Sequence, residues 1–325
     1  MSISFYGSSC FSLIILKKLF DLHQDGKIKL EYVVSQSSKP FGRHKEIKDN
    51  PVVIFCKDHN ITTFTPNKIK DLLDYKEFHT NIDLGIVAAY GKILPGWLLK
   101  STRYGFVNIH GSLLPKYRGA IPVQSLILNQ DIDNAGVTFI KMDEGMDTGD
   151  VILKEPLNIN VDEFSTLTTT DLMEKLANLS ADVITHRFDY IFHPDEWQLI
   201  TQDNSKATYC YVADMQKSKF EIHYSDGYKL AHGKVMAANP EPKAFITLKQ
   251  SFVINILRSK MPGTNSGFLD GVERKHELSL HFSGNNLYLE LKDGFLEILE
   301  LQPQGRKIMN GVSFINGYRA FLMNS

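Results

Sequence analysis

The sequence is short of several things, and each shortage removes a class of protein. Its three cysteines, Cys10, Cys56 and Cys210, are odd in number and far apart, which excludes a disulfide-stapled scaffold or a cysteine-rich zinc module. No stretch approaches the roughly 18 uninterrupted apolar residues of a membrane-spanning helix. Lys and Arg (36) balance Asp and Glu (37) to a formal charge of -1, so no overall basic excess points to nucleic acid. Internal repeats and low-complexity tracts are missing. The first residues enter a strand-like pattern at once, with no charged leader or cleavage site, and a cytoplasmic location is expected.

Chemical signatures are missing too. One usable glycine, Gly7, follows the first strand-like run, so the G-x-G-x-x-G fingerprint is absent and NAD is not supported. Without H-E-x-x-H or a spaced Cys/His set, no metal site is expected. A G-x-S-x-G nucleophile elbow is also absent.

What remains is 325 residues, 43% hydrophobic and 22% charged, enough for about two domains with buried cores. The near-zero charge is an average. Residues 1–205 carry 21 Lys and Arg against 26 Asp and Glu, about -5, and residues 206–325 carry 15 against 11, about +4. An acidic front and a basic back suggest two units with different partners.

The front alternates strand-like and helical runs. Residues 3–6, 30–35, 83–89, 106–109 and 137–142 read as strands, 11–22 and 51–59 as helices, and 61–64 as extended. The Val/Ile/Ala-rich runs are of the kind buried in a parallel sheet, which predicts an α/β domain with a Rossmann-like, mostly parallel sheet. A helix-rich stretch from 162 to 193 closes that domain, and 194–210 reads as a linker. Beyond it, residues 244–248, 251–257, 278–282, 287–291 and 295–301 read as short strands separated by Gly/Asn/Asp turns. Five short strands in about 110 residues fit a small barrel, with the OB fold as the leading candidate. The expected organisation is therefore 1–193, linker 194–210, and 211–325.

The densest polar cluster, residues 108–119 (NIHGSLLPKYRG), directly follows the 106–109 strand, where open α/β sheets bind their ligands. Asn108 and His110 are two apart and project to one side of the strand. An amide beside an imidazole can hold a developing oxyanion and move a proton; a lone strand-end His is more often structural. Residues 142–150 (MDEGMDTGD) place four carboxylates within eight residues. This string reads either as a solvated turn or as the source of an Asp that pairs with His110 and fixes its tautomer. It does not meet the EF-hand pattern. Lys39, Arg43, Lys45 and Lys48 lie within ten residues, enough for several phosphate contacts, although a solvated basic loop looks the same.

Together these segments resemble the formyltransferase family that uses 10-formyltetrahydrofolate, most closely its tRNA-acting branch, over nearly the whole chain. HGSLLP preceded by Asn108, with the distant D-x-G-x-D-T-G-D loop, carries the resemblance. Residues 87–95 (VAAYGKILP), 119–124 (GAIPVQ), 207–209 (ATY) and 300–307 (ELQPQGRK) with Gly317 extend it. The resemblance implies Asn108, His110 and Asp147 as the catalytic trio. It implies Ser112, Leu113, Leu114 and Pro115, with Tyr90 and Gly91, as the folate side, and Lys39, Arg43 and Lys45 as a tRNA-facing loop. The implied reaction moves a formyl group from 10-formyltetrahydrofolate to the amino group of methionyl initiator tRNA for translation initiation, by a monomer, without a metal, with the rear OB-like domain binding tRNA. The chain departs from the family pattern at Ser8-Ser9-Cys10, at residues 221–224 (EIHY) and across 225–290. Rival readings are a sugar-nucleotide N-formyltransferase with the same cofactor, a formyltetrahydrofolate hydrolase, and a non-catalytic RNA-binding protein on the same scaffold.

Overall fold

The computed structural model describes residues 1–41, 46–248, 252–261 and 274–324. The chain forms two compact units. The first comprises Met1–Pro122, Asn134–Leu157 and Met173–Tyr209; the second comprises Val123–Asp133, Asn158–Leu172 and Cys210–Ser325.

The first unit is built on a seven-stranded sheet. Its strands are β1 (Ser2–Gly7), β2 (Lys29–Val34), β3 (Thr63–Phe64), β4 (Leu84–Ala88), β5 (Phe106–His110), β6 (Gly136–Lys141) and β7 (Val151–Pro156). The order is β7-β6-β5-β4-β1-β2-β3. β1 to β5 pair in parallel, whereas β6 and β7 add antiparallel at one edge. β4 is buried at every position, which is why its sequence is a continuous apolar run. β7 alternates half-buried and exposed residues beyond its first two, so its apolar signal is weak and sequence periodicity passes over it.

Helix α1 (Cys10–Gln24) follows β1. Ser9 caps it: its Oγ accepts from Ser12 N at 3.2 Å, and Ser12 Oγ accepts from Ser9 N at 3.1 Å. This reciprocal cap is worth about 1 kcal/mol and gives the Ser8-Ser9-Cys10 departure a local purpose. Helix α2 (Pro51–Asp58) starts with proline at its first position under an Asn50 cap that accepts from Val52 N and Val53 N, an arrangement that suits proline's missing N–H. Beneath the sheet, Tyr6 packs edge-on against Phe106 and Tyr90 at 5.3 and 5.8 Å.

The stretch read as a linker is bonded into this unit. Ile200 exchanges both backbone hydrogen bonds with Val151, and Thr208 O accepts from Arg118 N at 2.8 Å.

In the second unit, β8 (Ala244–Leu248), β9 (Phe252–Lys260), β10 (Ser279–Ser283), β11 (Asn286–Leu291) and β12 (Gly294–Pro303) pair antiparallel in the order β8-β9-β12-β11-β10, and β13 (Met309–Asn310) adds to β12. Five strands stand where the sequence predicts them, in a barrel-like antiparallel unit. The helices α3 (Gly227–Ala237), packed on β9, and α4 (Gly311–Asn324), packed on β11 and its neighbours, were not expected. Two polar ties lie inside this unit. Glu290, fully buried, accepts from the backbone N–H groups of Lys275 and His276 (both 3.0 Å), from His281 Nε2 (2.8 Å), Ser279 Oγ (3.2 Å) and Arg274 Nε (3.3 Å). His232 on α3, also fully buried, bonds Ser259 Oγ at 2.9 Å and the Ser165 carbonyl at 2.7 Å.

Candidate active site

β5 lies between β4 and β6, and its carboxyl end delivers Asn108 and His110 to one place. His110 is buried, and its Nε2 lies 2.8 Å from the Tyr117 carbonyl oxygen. A carbonyl only accepts, so Nε2 carries the proton and Nδ1 is the nitrogen left to face the site. Nδ1 lies 3.6 Å from Asp147 Oδ2.

Asp147 comes from the loop between β6 and β7. Its Oδ1 accepts from Asn108 Nδ2 at 3.2 Å and its Oδ2 from Gly119 N at 2.8 Å. One carboxylate thus addresses both strand-end side chains and pins the turn that follows them. The loop reaches this position by folding tightly on β6: a Cβ at Gly149 would sit 1.9 Å from the Lys141 carbonyl oxygen, so only glycine fits. The neighbouring acids have other duties. Asp143 closes the turn by accepting from Gly145 N (3.0 Å) and Thr148 Oγ1 (2.7 Å), and Glu144 reaches Lys100 at 3.1 Å on the surface. Among the described residues no group of three or more His, Cys, Asp or Glu is placed to hold a metal ion.

Residues 112–115 run on from His110. Leu113 N donates to Asn134 O at 3.0 Å and Leu114 N to Thr138 Oγ1 at 3.1 Å. Ser112 Oγ donates to Lys116 O at 2.7 Å, and Lys154 donates to the Leu114 carbonyl. Burial holds the Lys154 ammonium below its ordinary pKa. Pro115, which has no N–H, closes the segment. The carbonyls are engaged as well: Ser112 O accepts from Thr138 Oγ1 at 2.7 Å, Leu113 O from Lys116 N at 3.2 Å and Pro115 O from Thr208 N at 3.3 Å, so the segment is pinned along its length. The Tyr90 ring packs in the core with Tyr6 and Phe106, and its hydroxyl has no hydrogen-bond partner among the described residues; burial pushes its pKa well up. What Tyr90 presents outward is its backbone carbonyl, which accepts from Gln36 Nε2 at 2.7 Å. Gly91 has φ +74°, and a Cβ there would lie 2.6 Å from that Gln36 amide.

Of the basic loop, Lys39 opens a short strand, Lys39–Phe41, that pairs antiparallel with Glu46–Lys48. Arg43 and Lys45 lie outside the described residues.

Two further residues belong to the site. Arg118, 1% exposed, donates from Nε and Nη2 to Gln202 Oε1 at 3.1 and 2.8 Å. Gln202 Nε2 in turn donates to the carbonyls of Asp147 (2.8 Å) and Gly149 (2.7 Å). No local pattern marks Gln202, because its partners lie 53 to 84 residues away.

The chain is similar to known proteins over nearly its whole length. The sequence model described as Formyl transferase matches residues 3–187, and that described as Formyl transferase, C-terminal domain, matches 214–319. Methionyl-tRNA formyltransferase of Dictyoglomus thermophilum is 32% identical over 324 residues, covering 98% of this chain and 97% of the relative. The enzyme of the same name from Carboxydothermus hydrogenoformans is 32% identical over 319 residues, with the same two shares covered. Among solved structures, an N-formyltransferase from Helicobacter canadensis in complex with folinic acid and dTDP-3-aminofucose superposes with a TM-score of 0.64 at 16% identity, covering 92% of this chain and 98% of its own. That last likeness is one of fold. The chain belongs to the formyl transferase family.

Proposed function

We propose that this chain transfers the formyl group of 10-formyltetrahydrofolate to the free amino group of methionyl initiator tRNA, the step that prepares that tRNA for translation initiation, and that it works in the cytoplasm as a monomer. The observation that carries the proposal is the convergence of Asn108, His110 and Asp147 at the carboxyl end of β5 in a chain about 32% identical, end to end, to enzymes named for that reaction.

Folate is consumed as a substrate and supplies the one-carbon unit. The segment from Ser112 to Pro115, held in place by its own hydrogen bonds, and the Tyr90–Gly91 turn are assigned to the folate side. Formyl transfer builds negative charge on the formyl oxygen, and preorganised donors lower the barrier most at that point. Asn108 Nδ2 is one such donor. His110 can donate only from Nδ1, because Nε2–H is held by Tyr117 O; it does so when both ring nitrogens carry protons, with Asp147 beside it to balance the charge. Asp147 also helps carry the proton lost by the attacking amine toward the leaving nitrogen. Lys39, Arg43 and Lys45 and the basic segment 206–325, about +4 by residue count, are assigned to the tRNA backbone, so acceptor binding should weaken steeply with salt.

The test supplies radiolabelled 10-formyltetrahydrofolate with methionyl initiator tRNA, a 4-amino sugar nucleotide, or water alone. Label on the tRNA is the expected result. Label passing only to the sugar, or only to water as formate, overturns the proposal.

A further inference from the structure

Asp147 adopts φ +54°, a left-handed conformation that a side-chain-bearing residue takes only against steric resistance. Its carboxylate is held by Asn108 and Gly119, but those bonds do not fix the backbone. Gln202 does, by donating to Asp147 O and Gly149 O from a single amide nitrogen.

A glutamine amide could equally turn its oxygen toward the loop, which would set it against two carbonyl oxygens. Arg118 removes that choice. Its guanidinium has only donors, two of them on Gln202 Oε1, so the oxygen must face Arg118 and the nitrogen must face the loop. Arg118 is itself fixed: Nη2 also donates to Asn204 Oδ1 at 2.9 Å, and its backbone pairs with Thr208. Gly119, the next residue, supplies the N–H on Asp147 Oδ2. The Arg118–Gly119 strand and the Gln202 side chain therefore grip Asp147 at both its carboxylate and its main chain. All of these residues belong to the first unit. Gln202 lies between the two family-matched regions.

We propose that Gln202, oriented by Arg118, is a positioning residue that sets the Asp147 carboxylate against Asn108 and His110. The proposal rests on the trio being the reacting site. Losing the clamp lets the loop relax from its left-handed turn, and displacements near 1 Å at a reacting centre cost on the order of 100-fold in rate. Substrate binding, made elsewhere, stays intact.

Two variants test this, Gln202→Leu and Gln202→Glu. The second keeps Arg118 paired through a carboxylate, so the fold survives, but it presents oxygen to the two loop carbonyls. Both are expected to lower kcat by about 10- to 100-fold while KM for folate and for the acceptor stays within about threefold. Each is then combined with Asp147→Asn. With the carboxylate gone there is nothing left to position, so the second change should cost less than about threefold more. A Gln202→Glu kcat within about twofold of wild type overturns the proposal, as does a Gln202 loss that multiplies in full with that of Asp147→Asn. Asp147→Asn measured alone separates two failures. Near-wild-type activity there removes the trio itself, whereas a crippled Asp147→Asn beside an active Gln202→Glu removes only the positioning role.

Discussion

In the first unit the buried polar side chains His110, Arg118 and Gln202 all lead, directly or through one partner, to Asp147 at the end of β5. In the second unit Glu290 and His232 are equally buried, yet their partners, the Arg274 guanidinium, the Lys275 and His276 backbone, His281, Ser279, Ser259 and Ser165, join strand, turn and helix of the unit to itself. Burying a polar group is costly unless it is hydrogen-bonded, and these five side chains meet that requirement. The units differ in where the ordered groups point. His110, Arg118 and Gln202 serve a constellation at the strand end, whereas Glu290 and His232 form an internal clasp. Substitutions in the first should therefore remove rate and leave stability, and those in the second should do the reverse.

The largest expected effect is that of Asp147→Asn. It keeps size and one hydrogen-bonding oxygen but removes the charge beside His110, and kcat should fall by about 10²–10³ while the urea midpoint of unfolding shifts little. A loss of stability matching the loss of rate would erase the distinction between the units.

Glu290→Leu should do the opposite. It leaves Arg274, His281 and two backbone N–H groups without their carboxylate, at a cost of about 3 kcal/mol of unfolding free energy. Urea denaturation reads the loss, and active-site titration of the remaining folded protein should show kcat unchanged. A fall in kcat per folded molecule would mean that the clasp communicates with the chemistry.

The smallest effect is one of pH. Burial pushes the His232 imidazole below its ordinary pKa, partly offset by its bond to Ser165. Burial alone would raise Glu290, but the N–H groups of Lys275 and His276, with His281 and Arg274, outweigh it and hold the carboxyl low. Both groups bind fewer protons folded than unfolded, so their stabilisation is present above the unfolded pKa and lost on acidification. The His232 share begins to disappear below about pH 6.5 and the Glu290 share below about pH 4.3. Between pH 7.5 and 5.5 wild type should lose at most about 1.4 kcal/mol through His232, and His232→Gln should lose less. Equal pH dependence in both proteins would assign the acid sensitivity to other groups.

The same contrast explains what was legible in the sequence. β4 and β5 are read easily because strands buried on both faces are continuous apolar runs. Asn108 and His110 are read because two residues at spacing two on such a strand must share a side. Asp147 could be proposed from its carboxylate-rich string, but its selection over Asp143 and Asp150 depends on the Gly149 close approach to β6, which is a three-dimensional fact. Helix α3 was missed because GYKLAHGKVMA begins with glycine, carries a second at Gly233 and puts a histidine at its buried centre; helix propensity argues against it, and the compensating contacts come from Ser165 and Ser259, 67 and 27 residues distant. Gln202 failed to stand out for the same reason. A polar residue in a Gly- and Pro-poor connector looks like solvent-facing linker until Arg118 is folded against it. Local periodicity carries the sheet, and non-local polar bonds carry the precision of the site.

The most direct measurement is the single-turnover rate of formyl transfer to methionyl initiator tRNA by Asn108→Ala, taken beside its thermal unfolding midpoint. Asn108 bears the side-chain amide that donates to Asp147 and sits on a central strand. The rate should fall by about 10²–10³ with tRNA affinity kept and the midpoint within about 3 °C of wild type. A rate within threefold of wild type would contradict the assignment of this strand end as the place where the formyl group is passed.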